Sequence, residues 1–150
     1  MITPVTELAA TRGRILGVDF GDRRTGLAIS DASRFLAGGI GTVSPGGIAA
    51  TVKAVAGIAA EQGAVAAVVG LPRNMDGTEG SRAERCREFA LMLADEAGIP
   101  VAMTDERLTT VAASRYLNET DTRGKKRKGV IDTLSAEIIL QNTLDRLRNL

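Results

Sequence analysis

Histidine is absent from this chain of 150 residues, and that absence removes whole classes of enzyme. Serine–histidine and cysteine–histidine hydrolysis both need an imidazole to carry a proton, so neither is available. Acid–base chemistry has to come from carboxylates, lysine, tyrosine, cysteine or metal-bound water. A single cysteine, Cys86, rules out an internal disulfide and points to a reducing, cytoplasmic setting. Tryptophan is missing, and the aromatics are Phe20, Phe35, Phe89 and Tyr116 alone. A reader of single strands that works by base stacking would carry more such platforms. No apolar run is long enough to span a membrane, so no membrane partner is expected. The opening MITPVTELAATR lacks the apolar core of a secretory signal, and residues 1–13 read as a flexible, frayed tail. Net charge is only +1, so any nucleic-acid footprint must be a local patch.

What is present is the composition of an ordinary globular domain, 44% hydrophobic and 25% charged. Residues 14–150 suffice for a single domain that buries ~70% of its unfolded surface. Residues 14–31, RILGVDFGDRRTGLAISD, read as a strand, a tight basic turn and a second strand. Strand side chains alternate, so Leu16, Val18 and Phe20 share one face while Gly17, Asp19 and Gly21 share the other. The second strand puts Thr25, Leu27 and Ile29 on one face and Gly26, Ala28 and Ser30 on the other. Small residues on adjoining strands mark a place where something approaches the backbone closely. Asp19 stands in that small-residue face, where a carboxylate among apolar neighbours is costly unless paired or ligating.

Further along, residues 35–44 can form a glycine-loosened strand, and residues 48–62 a helix with Ile48, Val52, Val55 and Ala59 at helical spacing, closed by Gly63. Residues 65–71, VAAVVGL, form an apolar run suited to a strand buried on both faces of a parallel sheet. Residues 72–80 are rich in turn formers. Ser81-Arg82-Ala83-Glu84 has the form of a capping box, predicting a helix with Cys86, Phe89, Ala90 and Leu93 inward and Gly98 at its end. A strand over 99–104, a helix from Thr109 or Thr110 to about Asn118, a polar basic stretch over 119–129 and a last helix complete the chain. That helix carries Ile131, Leu134, Ile138, Leu140, Leu144 and Leu147. Strands first, then alternating helix and strand, argue an α/β fold with a mixed sheet.

Acidic residues stand where elements begin or end: Asp19, the pair Asp105-Glu106, and Asp132. Carboxylates gathered from distant positions repel one another, and a shared hard cation such as Mg²⁺ or Mn²⁺ relieves this through oxygen ligation. Paired ions of that kind hydrolyse phosphodiesters without histidine. Each acid also has a structural use. Asp132 can cap a helix through the amides of Leu134 or Ser135, Asp105 and Glu106 can pair with Arg107, and Asp76 before Gly77 suits a turn. Asp31 can cap or turn, and Cys86 reads as a buried, inert thiol. Arg123-Gly124-Lys125-Lys126-Arg127-Lys128 packs five cations into six positions. Such a run is either a solvated linker or a phosphate grip acting through counterion release. Its lead into Asp132 favours the grip, and Arg23 and Arg24 add charge beside Asp19.

The run from Asp19 to Asp31, DFGDRRTGLAISD, resembles the opening signature of the YqgF/RuvX family, whose members are described as candidate Holliday-junction resolvases and pre-16S rRNA nucleases. Gly70-Leu71-Pro72 with Met75-Asp76-Gly77, then Asp105-Glu106-Arg107-Leu108-Thr109-Thr110, then the basic run with Asp132 and Ser135-Ala136, resemble its later motifs. The likeness covers residues 14–147. It implies a ribonuclease H-like fold with a five-stranded mixed sheet, the first three strands antiparallel and the last two parallel, flanked by helices. By the same likeness Asp19, Glu106 and Asp132 are the catalytic metal ligands, for Mg²⁺ or Mn²⁺, and Asp105 assists or orients. Arg24 and Arg107 hold phosphate or orient acids. Arg23, Lys125, Lys126, Arg127 and Lys128 complete the expected nucleic-acid contacts. Where related RuvC resolvases carry an acid after the fourth strand, this chain has Gly70-Leu71-Pro72, and Glu106 would replace it. The implied activity is metal-dependent phosphodiester hydrolysis in pre-16S rRNA, with branched DNA as the alternative substrate and a homodimer as the form a resolvase would favour. A nucleic-acid-binding module without catalysis is a further reading. An actin-like nucleotide site, suggested by the D-x-G turn, needs a second lobe that 150 residues do not hold.

Overall fold

The architecture is that of a computed structural model, which describes residues 1–74, 76–105 and 124–150, with 124–129 given by backbone alone. Strands β1 (Arg14–Asp19) and β2 (Thr25–Ser30) form the expected hairpin, with Leu16 opposite Ile29 and Asp19 opposite Gly26. Strand β3 (Ala37–Val43) lies antiparallel to β2, with a register shift between Leu27 and Ala28. Strands β4 (Ala64–Leu71) and β5 (Val101–Asp105) are parallel to β1. The sheet order is β3-β2-β1-β4-β5, a five-stranded mixed sheet as expected.

The alternation in β1 decides which layer each residue joins. Leu16, Val18 and Phe20, with Leu27, Ala67 and Val69, pack under α1 (Ile48–Glu61) and α2 (Ser81–Ala97). Ile15, Ala28, Ala66 and Val68 face the other way, against Ala136, Ile139, Leu140 and Leu144 of α3 (Gly124–Arg148). The central strand β4 therefore buries both faces, which is why its sequence shows no alternation.

The structure corrects several expectations. Residues 1–13 do not fray: Val5 and Leu8 are buried in a 3₁₀ turn (Val5–Ala10), and the Thr3 amide donates to the Val101 carbonyl at 2.8 Å. Arg34 fastens this segment by donating to the carbonyls of Gly13 (2.7 Å) and Leu8 (2.9 Å) and to the Thr11 hydroxyl (2.7 Å). The capping box at Ser81 does not form. Gly80 occupies the cap position and Ser81 is already helical, one residue too late for its hydroxyl to cap. The last helix begins at Gly124, so positions 125–128 lie in helical backbone rather than in a linker. Lysine and arginine are good helix formers, and the run lacks only apolar periodicity. Its inward residues near the middle are Ile139 and Leu140, while Ile138 is only partly buried. The helix expected over 109–118 lies outside the described residues.

Candidate active site

Asp19 closes β1 on the face that looks toward α3. Gly17, two residues earlier, lies directly beneath that helix: a Cβ there would stand 2.7 Å from the Leu140 Cβ and 2.9 Å from the Ala136 carbonyl. Gly26, the cross-strand neighbour of Asp19, is tighter still, since a Cβ would overlap the backbone carbonyl of Asp132. At Gly39 on β3 a Cβ would run into Thr133 and Glu137, and the Gly39 amide donates to the Glu137 carboxylate at 2.7 Å. The small-residue face read from the sequence thus receives the chain's own last helix. The consequence is chemical. A glycine seat lets the α3 backbone descend onto β2, placing Asp132 at the position neighbouring Asp19 although 113 residues separate them.

Asp132 lies well inside α3, so it is not a helix cap. Its Oδ2 accepts from the Arg24 guanidinium Nε at 2.6 Å, with the carboxylate 19% exposed. Arg24 comes from the β1–β2 turn, where Arg23 is exposed. The turn is tight. A Cβ at Gly21 would meet the Arg24 carbonyl, so glycine is required for the chain to fold back on itself.

Asp105 ends β5 opposite Leu71, with β4 between it and β1. Arg73 reaches it at 4.0 Å and also pairs with Glu79 at 3.6 Å. Glu79 is gripped by Arg87 through two contacts of 2.8 Å, and this double hydrogen bond, with the charges of Arg87 and Arg73, lowers its pKa against the opposing effect of burial. The loop over 72–80 is therefore tied down to α2 and β5. Glu106 and Arg107 lie outside the described residues, and the side chains of Lys125, Lys126, Arg127 and Lys128 are likewise not described. Among the described residues no group of three or more candidate ligands is assembled.

Other acids turn out to be structural. Asp76 accepts from the Thr78 amide (2.9 Å) and hydroxyl (2.6 Å) within its turn. Asp31 accepts from the Ser33 hydroxyl and from the amides of Phe35 and Leu36, which hold its carboxyl below the ordinary value. Cys86 is buried, as expected. The sequence reading passed over Arg73, Arg82 and Arg85 at the rim. Their signal was a local excess of arginine (Arg73, Arg82, Arg85, Arg87) immediately after β4.

This fold, a five-stranded mixed sheet in the order β3-β2-β1-β4-β5 with helices on both faces, is the ribonuclease H-like fold of the resolvases. The chain superposes on RuvC of Thermus thermophilus, solved with a Holliday junction substrate, with a TM-score of 0.55, 15% identity and coverage of 91% of this chain and 96% of that one. The fowlpox virus Holliday junction resolvase gives 0.54 at 12% identity, covering 87% and 99%. At such identities the likeness carries the fold alone. The particular assignment comes from sequence: the chain belongs to the RuvX family, described as Holliday junction resolvase, whose model matches residues 13–146. A relative from Rhodopseudomonas palustris is 45% identical over 149 residues, covering 97% of this chain and 93% of its own. One from Moorella thermoacetica is 46% identical over 134 residues, covering 89% and 96%. Both are named candidate pre-16S rRNA nucleases.

Proposed function

We propose that this protein is a metal-dependent nuclease that cleaves phosphodiester bonds in the precursor of 16S rRNA, in the cytoplasm. The observation that carries the reading is the glycine seat under α3, which sets Asp132 beside Asp19. The donor set suits Mg²⁺ or Mn²⁺, because the two acids offer hard oxygens and Arg24 occupies only Oδ2 of Asp132. Asp19, Asp132 and Glu106 would hold the metal, which when bound supplies Lewis acidity toward a phosphodiester and its attacking water. Arg24 fixes the orientation of Asp132. Arg23, Arg107 and the Lys125, Lys126, Arg127 and Lys128 run hold the substrate backbone by charge. Asp105, held by Arg73, orients the end of β5 rather than ligating.

The substrate follows the relatives that share nearly half of this sequence over nearly their whole length. Branched DNA is the second reading, favoured by the family description, and it would call for a homodimer presenting two sites to paired strands. The experiment is cleavage of a labelled 16S precursor fragment and a four-way DNA junction, each with Mn²⁺, Mg²⁺ or EDTA, beside Asp19→Asn. Metal-dependent cutting of the RNA, lost in Asp19→Asn, is expected. Cutting of the junction alone would make the protein a resolvase, and binding without cutting in every condition would leave a non-catalytic module.

A further inference from the structure

The sequence puts a basic run at the start of α3, and α2, on the opposite face of the sheet, carries cations of its own. Phe20, the residue after Asp19, stacks on Phe89 of α2 with ring centroids 4.4 Å apart and planes 14° apart. That apolar contact, with buried Cys86 beside it, locks the start of α2 to the turn that follows Asp19. Two arginines three residues apart on α2 then face the same turn. Arg82 reaches the Phe20 carbonyl at 3.5 Å, and Arg85 reaches Asp22 at 3.3 Å. They line a cleft of about 10 Å³ with Phe20, Gly21, Asp22 and Cys86. Among the described residues Arg82 has no carboxylate partner, and the two that hold Arg85, Asp22 at 3.3 Å and Glu88 at 3.4 Å, are 70% and 54% exposed. Exposed pairs of this kind bind weakly and exchange readily for another anion. Arg87, by contrast, is committed to Glu79.

We infer that Arg82 and Arg85 form a second backbone-binding track, which takes phosphates of the nucleic acid on the side of Asp19 away from α3. The inference rests on the nuclease reading above. A strand crossing the end of β1 would leave the basic first turns of α3, pass Asp19, and meet these two guanidiniums, whose forked donors suit phosphate oxygens. Contacts of this type place the strand without reading its sequence. Arg23 is exposed in the same turn.

The test is binding in EDTA of a labelled 16S precursor fragment and of a scrambled RNA of the same fold, as a function of salt. Proteins compared are the wild type, R82Q/R85Q, R82K/R85K and D22N. In R82Q/R85Q the slope of log affinity against log salt should fall by about 1.4–1.8, with roughly tenfold weaker binding to both RNAs. R82K/R85K should keep the slope, and D22N should bind at least as tightly as wild type. An unchanged slope in R82Q/R85Q, an equal loss in R82K/R85K, or a loss confined to one RNA would overturn the inference. If the wild type binds and cuts while R82Q/R85Q behaves identically, only this track fails. If the wild type binds no nucleic acid, the track and the nuclease reading fall together.

Discussion

The two faces of the sheet are built by different means. Toward α1 and α2 the strands present Leu16, Val18, Phe20, Leu27 and Val69, and the helices answer with Val52, Val55, Phe89 and Leu93. Toward α3 they present Ile15, Ala28, Ala66 and Val68 to Ala136, Ile139, Leu140 and Leu144, and beside this core Gly17, Gly26 and Gly39 let the helix come close to the strands. Large side chains hold a layer together but hold it at arm's length. Glycine gives up that apolar contact and allows the backbone of Asp132 to come down over Gly26, the cross-strand partner of Asp19. Both faces keep the fold, and only the one under α3 also brings Asp132 over the strand next to Asp19.

The comparison breaks if the two faces respond alike to substitution. Leu93→Ala, wholly buried against the α1/α2 side of the sheet, should cost about 2–5 kcal/mol in urea unfolding. Its cleavage rate per folded molecule should match the wild type. Gly26→Ala should cost less stability, about 1–3 kcal/mol, because it overpacks rather than empties. Yet it pushes the Asp132 backbone away from β2, and a displacement near 1 Å should lower cleavage about 100-fold. Parallel losses of activity and stability in both variants would show that the glycine face is ordinary packing.

Much of this division was legible beforehand. The alternation over residues 14–31 placed Asp19 among glycines, and the unbroken apolar run of β4 announced a strand covered twice. The sequence could not show what would lie on the glycine face, because contact between Gly26 and Asp132 is a tertiary fact with no local signature. The N-terminal segment was misread for a related reason. Ile2, Val5 and Leu8 recur every three residues, a 3₁₀ spacing too short to register as a helix, and the anchor Arg34 lies in the turn after β2. Asp132 looked equally like a cap because the basic run before it hid the true start of α3.

A smaller effect sharpens the contrast at the site itself. Arg24→Gln removes the partner of Asp132, but the guanidinium is 36% exposed, so unfolding should shift by less than about 1 kcal/mol. Cleavage should fall further than that figure suggests, about tenfold, if Asp132 holds the metal as proposed and the arginine orients it. Arg24→Lys should recover part of it through charge alone. A steady-state assay beside a urea titration of the same preparations separates the two quantities.

The smallest expected effect belongs to the polar margin of the α2 side, where Glu79 is held by Arg87 and Arg73. Its pKa is lowered in the folded chain, first by the hydrogen bonds from Arg87 and then by the two charges, so the unfolded chain binds the proton more readily. The contribution is therefore fully present above the ordinary carboxyl value of 4.5 and is lost as pH falls through the lower folded value. Thermal unfolding measured from neutral pH downward should show wild type and Glu79→Gln diverging least below pH 4.5, with the variant's curve the flatter of the two. The residual slope in the variant should owe something to Asp31, whose carboxyl is lowered by Ser33 and the amides of its turn. Curves that stay parallel through this range would mean that the Glu79 grip is equally strong in the unfolded chain, and that the loop over 72–80 is held by other contacts.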